Sequence, residues 1–326
     1  MSIFDELYEL GKTHVKRTIW VFSDLQQGRY ENAKKCLDIS LEDYERLGRP
    51  ADMMWYLGDS TESANFPELT RMAQLQIDAF EKLGIPLCYA TGNHDYDYPE
   101  ACHRNGEPFT MPFYDAVREH ENWYTTKNCD ETWFKVPLDN YMIYFFCDHV
   151  AKDNSWCSTH NWYRYGRENY PYHADHFAGI RKDMETCPAP NLITASHYGF
   201  PGGNRDTAIL SLIQPLPLNV RLHLYGHSHI GEYSCPQNRI FSQIQWVDWQ
   251  DIPQVDVSSF EDIRGSYCRS VMLQIYDDDT LGLFFRNQNE HRFVSAFFPS
   301  CHSAEKEGGY EARAKKVNPA DILPNP

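Results

Sequence analysis

The chain has 326 residues, 42% of them hydrophobic and 23% charged, so it can bury a large core and does not read as disordered. Its 30 Lys and Arg stand against 46 Asp and Glu, and the formal charge of −16 argues against an extended DNA- or RNA-binding surface. No apolar run reaches the roughly 18 residues needed to cross a bilayer, and Met1 to Lys16 is mixed polar and charged, so a cytoplasmic protein without membrane attachment is expected.

Residues 18–24 (TIWVFSD) form a β-branched and aromatic run that ends in an acid, which predicts a strand. Cys36, Leu37, Leu41, Tyr44 and Leu47 fall near helical spacing and predict a helix over 31–47. A strand over 52–57 (DMMWYL) follows, then a helix opened by Pro67 and running to Leu83, then a strand over 85–91 (IPLCYAT). This β-α-β-α-β order predicts neighbouring parallel strands joined by helical crossovers.

From 96 to 190 the pattern breaks up. Short strands at 132–136 and 141–147 flank an Asp139-Asn140 turn, and residues 154–177 hold seven aromatics and three histidines. This segment reads as an excursion, packed on its own rings or capping a substrate site. Buried strands at 191–196 (NLITAS) and 221–225 (RLHLY) come next. Strand candidates at 239–247, 270–276 and 281–286 follow, with Asp277-Asp278-Asp279 as a hairpin turn between the last two. The division expected is one domain over 1–299 and a polar tail or surface strap over 300–326. The ten cysteines are scattered without a CxxC pair, so neither a disulfide framework nor a thiolate zinc site is expected.

Five strand ends carry metal-capable side chains. They are Ser23-Asp24-Leu25-Gln26, Gly58-Asp59 through Glu62, Gly92-Asn93-His94-Asp95, Ser196-His197-Tyr198-Gly199 and Gly226-His227-Ser228-His229. Singly each has an ordinary explanation: an Asp after a strand is usually a cap or turn former, and a lone His is more often a hydrogen-bonded structural residue than a ligand. Together they set Asp, Asp, Asn and three His beyond the carboxyl ends of strands, where open α/β sheets bind ligands.

The series resembles that of the calcineurin-like metallophosphoesterase superfamily: D-x-H, G-D-x-x-D/E, G-N-H-D/E, a lone H, and G-H-x-H. The resemblance runs over about residues 18–230, and the later strands suit the second sheet of that family's αββα sandwich, two mixed sheets flanked by helices. It implies two divalent cations, Mn²⁺, Fe or Zn²⁺, with Asp59 shared between them. One would be held by Asp24, Asp59 and His229, the other by Asp59, Asn93, His197 and His227. Such a pair, about 3.5–4 Å apart, can share a bridging hydroxide and clamp phosphoryl oxygens. The resemblance further places His94 by the phosphate, as stabiliser or proton donor to the leaving oxygen, with Asp95 orienting its ring. Glu62 is a supporting candidate.

Gln26 departs from the family pattern, which has histidine there. Three outcomes follow: a ligand through its oxygen, biasing the site toward Mn²⁺ or Mg²⁺; no ligation and a labile first site; or drift to a non-hydrolytic scaffold. For substrate contacts the candidates are Arg29, His149 and Arg205.

The reading is a hydrolase, a metal-dependent phosphoesterase acting through the metal-bridging hydroxide on a small-molecule phosphate ester. A phosphodiester is slightly favoured over a monoester, since no dense cationic cluster is visible for a dianionic terminus. The alternatives are a scaffold or binding protein on the same fold, and a dinuclear hydrolase acting on another bond. No G-x-S-x-G elbow supports a Ser–His–Asp enzyme.

Overall fold

The structure, a computed structural model, describes residues 3–62, 66–96, 111–127, 131–147, 149–150, 156–157, 173–200, 215–229, 244–246, 252–262 and 267–299. The expected tail over 300–326 lies outside these residues, as do most of the aromatic stretch over 154–177 and Arg205.

In chain order the chain forms α1 (Ile3–Gly11), β1 (Val15–Phe22), α2 (Tyr30–Arg46), β2 (Met53–Tyr56), α3 (Phe66–Glu81) and β3 (Leu87–Tyr89). After a 3-10 turn at His94–Tyr96 come α4 (Pro112–Glu119), β4 (Trp123–Tyr124), β5 (Trp133–Leu138) and β6 (Tyr141–Phe146). A two-residue pair, β7 (His149–Val150) with β8 (Trp156–Cys157), precedes α5 (His173–Glu185). The chain closes with β9 (Asn191–Ser196), β10 (Val220–Tyr225), β11 (Ile244–Trp246), β12 (Pro253–Asp256), β13 (Arg269–Tyr276), β14 (Leu281–Asn287) and β15 (Arg292–Phe297).

These strands build two mixed sheets. The first runs β15-β14-β13-β1-β2-β3-β4, with β1 to β4 parallel and β13 to β15 antiparallel to their neighbours. The second runs β11-β12-β10-β9-β6-β5, with β12, β10, β9 and β6 parallel. Side-chain alternation along the central strands stacks the layers. On β1, Ile19 and Val21 enter a core with Trp55, Ile143, Phe145, Ile193, Leu222, Leu224 and Val255, which lies between the sheets. Trp20 and Phe22 point the other way, onto Tyr8, Leu37, Tyr44, Phe80 and Phe113 of four helices. A third cluster packs Ile180 and Met184 of α5 on Tyr144, Phe146 and Leu192. The result is α-β-β-α, as expected. Burial on both faces explains why the central strands read as apolar runs rather than as alternating ones.

Within the segment over 96–190, expected as an excursion, the described residues include elements of this sandwich. They supply β4 to the first sheet, β5 and β6 to the second, and α4 and α5 to the outer layers. The 239–247 strand is described only as β11, and β12, β15 and α1 add elements the sequence pattern did not mark.

Helix α2 is locked to the antiparallel half of its sheet by a buried ion pair. Arg286 donates to both Asp43 oxygens at 2.9 and 2.8 Å, and His291 Nδ1 lies 2.9 Å from the same carboxylate. Removing one member leaves a buried charge without its partner, so Asp43→Ala is expected to destabilise the protein by about 3–5 kcal/mol. The paired change to Asp43→Leu with Arg286→Met is expected to recover most of that. Urea unfolding of both variants checks it; equal losses would show that the charge pair is not what matters.

Candidate metal centre

All five strand ends come together at one edge of the sandwich, because β1, β2 and β3 run parallel in one sheet and β9 and β10 run parallel in the other. The loops are tied directly to one another. Asp24 N donates to Gly58 O at 3.0 Å, Gln26 N to Asp59 O at 3.0 Å, and Gly226 N to His197 O at 3.1 Å. Asp24, Asp59, His227 and His229 have φ of 56°, 54°, 69° and 47°, the left-handed region that side chains other than glycine occupy at a cost. That cost concentrates on four of the candidate ligands. Two glycines are required by close approach: a Cβ on Gly92 would strike Asp59 Oδ1 and the His197 ring, and one on Gly226 would strike Ser23 and Asp24.

The side chains converge more tightly than the backbone. His197 Nε2 lies 3.0 Å from Asp59 Oδ2, 3.9 Å from Asp24 Oδ1 and 3.2 Å from His227 Nδ1. His229 Nε2 lies 3.1 Å from Asp24 Oδ1. Asp59, His197 and His227 each bring a ligand atom within 4.8 Å of the others. Asp24, Asp59 and His197 are buried, as is Gln26, while Asn93, His94 and His227 are partly exposed.

Each group is held by a partner outside the cluster. His197 Nδ1 lies 2.7 Å from Leu57 O, so it donates there and turns the Nε2 lone pair toward Asp59 and His227. Asp24 Oδ2 accepts from His227 N at 2.9 Å, and Asp59 Oδ1 from His94 N at 2.8 Å. His229 Nδ1 lies 2.6 Å from Glu261 Oε1, whose other oxygen accepts from Gln27 at 3.2 Å. Asn93 Oδ1 accepts from the Tyr198 hydroxyl at 2.7 Å.

The electrostatics ask for positive charge at this spot. Burial alone raises the pKa of both aspartates. The imidazoles of His229 and His197 around Asp24, and of His197, His94 and His227 around Asp59, bring both below the usual carboxylate range. Burial likewise disfavours a charged His229, yet Asp24 and Glu261 push its pKa up to about 10. Asp24 Oδ1, Asp59 Oδ2 and Gln26 Oε1 are buried oxygens with no well-aligned hydrogen bond. A lone pair of His197 facing a carboxylate, beside orphaned oxygens, is repulsive unless a cation lies among them. The donor set of carboxylate, amide and imidazole therefore fits divalent metal ions.

Asp95 does not orient His94. Its Oδ2 accepts from Gly92 N at 2.7 Å and Asp59 N at 3.0 Å, and its Oδ1 from Ser60 N at 2.9 Å and Ser60 Oγ at 2.6 Å. With its lone pairs spent on the two loops, this carboxylate holds backbone. His94 is partly exposed, and its backbone N–H donates to the Asp59 carboxylate. Glu62 is partly buried at the end of the Asp59 loop, and Arg29 is exposed at the start of α2. His149 lies in β7, its side chain outside the described residues, and Arg205 is outside them altogether.

Sequence reasoning missed Glu261, Tyr198 and Asp256. Asp256 ends β12 beside the β10 terminus, fully buried, with Oδ1 accepting from Ser258 N at 2.7 Å. Burial pushes its carboxyl well up, with Asp24 adding to the rise. No glycine-rich turn marks Glu261 or Asp256, and the tyrosine next to His197 reads as an ordinary core aromatic.

Three comparisons bear on this arrangement. A family model described as calcineurin-like phosphoesterase matches residues 17–231. No curated protein matches. Among solved structures, a dimetal phosphatase from Danio rerio superposes with a TM-score of 0.53 at 12% identity, covering 87% of this chain and 98% of that one. A purple acid phosphatase from yellow lupin (Lupinus luteus) seeds gives a TM-score of 0.45 at 15% identity, covering 86% of this chain. This chain spans about half of the lupin protein, 53% of its length. Among the described residues no helix is long and apolar enough to cross a membrane.

Proposed function

The chain belongs to the calcineurin-like phosphoesterase family, and from that premise we propose that it hydrolyses a small-molecule phosphate ester with two divalent cations. The observation that carries this reading is the convergence of Asp24, Asp59, His197, His227 and His229 on one another, with the buried Gln26 tied to the Asp59 loop through its backbone N–H. Asp24, Gln26, Asp59 and His229 would hold one cation; Asp59, Asn93, His197 and His227 would hold the other. When bound, the cations neutralise charge on the phosphoryl oxygens and acidify a water.

The protein's own residues do the rest. Asp59 would supply the charge common to both positions. Leu57 O holds the His197 ring by a hydrogen bond in the orientation that offers Nε2 inward, and Glu261, at ion-pair distance from Nδ1, would do the same for His229. His94, partly exposed and joined to Asp59 through its backbone N–H, would give a proton to the departing oxygen. Gln26 is read as an oxygen ligand, because a buried amide oxygen without a hydrogen bond is costly unless something else pairs with it. A hard oxygen in place of imidazole biases that position toward Mn²⁺ over Zn²⁺. Since Glu261 aligns His229, Glu261→Gln is expected to weaken divalent-metal affinity about 10–100-fold, read by Mn²⁺ titration of metal-stripped protein. Unchanged affinity would dismiss the His229–Glu261 contact as irrelevant to the cation.

A phosphodiester is favoured over a monoester. The formal charge is −16, and the substrate-side cation named among the described residues, Arg29, is exposed at the start of α2. The same charge disfavours long nucleic acids, and a cytoplasmic setting is proposed with it. The test is turnover of an aryl phosphodiester against an aryl phosphomonoester by Mn²⁺-loaded protein. Faster diester cleavage is expected; a monoester preference would reverse the subclass, and no turnover with metal bound would point to another bond.

A further inference from the structure

We propose that Tyr198 is a positioning residue for the second cation, selecting which end of the Asn93 amide faces it; this rests on the reading of Asn93 as a ligand given above. Tyr198 is 1% exposed, so it is placed to act on its neighbours rather than on substrate. It touches three of the four groups assigned to that cation. Its hydroxyl donates to Asn93 Oδ1 at 2.7 Å. Its ring lies over His227, with centroids 4.2 Å apart at 36°, and meets His197 edge-on, at 5.2 Å and 88°.

The chemistry of the amide makes the hydroxyl contact decisive. An asparagine can bind a cation only through its carbonyl oxygen, and its NH₂ end repels one. Rotation about the last side-chain bond exchanges the two ends at small cost, and Asn93 is only partly buried, so packing alone does not fix the choice. A hydroxyl proton aimed at Oδ1 fixes it. The carbonyl keeps a second lone pair for the cation, while the ring props the two imidazoles that share it. Asn93 lies 105 positions from Tyr198, so the contact also clamps the third strand-end loop to the fourth.

The experiment is equilibrium Mn²⁺ binding to metal-stripped protein, following free Mn²⁺ by electron paramagnetic resonance, with thermal melting of the stripped protein alongside. Tyr198→Phe keeps the ring and removes the proton. It is expected to leave the tighter Mn²⁺ step unchanged, to lower the melting temperature by no more than the loss of one hydrogen bond does, and to weaken the second step about 10-fold or more. In an Asn93→Ala background it is expected to add nothing, because there is no amide left to orient. In an Asn93→Asp background, where both ends of the group are oxygen, Tyr198→Phe is expected to be without effect. Wild-type binding by Tyr198→Phe, or equal losses in all three backgrounds, would overturn the proposal while leaving Asn93 a ligand. Wild-type binding by Asn93→Ala would instead remove Asn93 from the cation set and the proposal with it.

Discussion

Replacing Asp59 with alanine is expected to lower phosphoester turnover by about 1,000-fold or more, more than any other single change at this site. Asp24 and Asp59 both border the two halves of the cluster, Asp24 Oδ1 lying 3.1 Å from His229 Nε2 and 3.9 Å from His197 Nε2, and Asp59 is the one proposed above as shared between the cations. Its Oδ2 faces His197 at 3.0 Å, and its ligand atom lies within 4.8 Å of those of His197 and His227. Through the loop contact from Gln26 N to its carbonyl at 3.0 Å, it also borders the Asp24 half. Removing it would take a ligand from each proposed cation. Asp59→Asn separates chemistry from folding. It retains an oxygen for the His94 N–H and loses the charge, so it is expected to fold like the wild type and be as inactive as the alanine variant. Activity within about 10-fold of wild type in either variant, some 1.4 kcal/mol of barrier, would mean that Asp59 is not shared.

The second large effect is on stability. Asp95→Ala removes the acceptor of three buried backbone N–H groups, those of Asp59, Ser60 and Gly92, and of the Ser60 hydroxyl. Each orphaned buried donor costs about 1–3 kcal/mol, and the losses are not additive, so a net destabilisation of about 3–5 kcal/mol is expected. Asp95→Asn is expected to recover only part, because its NH₂ end faces donors. Both loops that carry Asp59 and Asn93 hang on this one carboxylate, so metal affinity is expected to fall with stability. Chemical denaturation of metal-stripped protein reads the first effect without the second. A variant as stable as wild type but slow in turnover would return Asp95 to the role of ring orienter for His94.

The split between what could and could not be read in advance follows from distance along the chain. Asp24, Asp59, Asn93, His197, His227 and His229 were legible because each follows an apolar strand, and Asp59, Asn93 and His227 sit directly beside a glycine. Parallel strands then carry them to one edge of the sandwich whatever the loops between do. Their supports were not legible, because those contacts bridge long stretches: Gln27 to Glu261 spans 234 positions and Asn93 to Tyr198 spans 105. For Asp95 the resemblance implied a partner for the His94 ring, whereas the 3-10 turn at His94–Tyr96 turns the carboxylate onto the loops. In the fold, β5 and β6 showed their strand pattern, but nothing local told that they extend the second sheet instead of an excursion. Strand β12 begins at Pro253 and has only four residues, too few for a pattern, so the site residues that follow it, Glu261 among them, had no strand to mark them.

The most direct test of the whole account is the number of divalent ions bound at saturation by metal-stripped wild type, with Asp59→Ala measured beside it. Equilibrium dialysis against Mn²⁺ followed by elemental analysis gives that number. The account predicts two ions per chain for the wild type and loss of at least one in the variant. A wild type that binds none, or a variant that binds as many as the wild type, would contradict it.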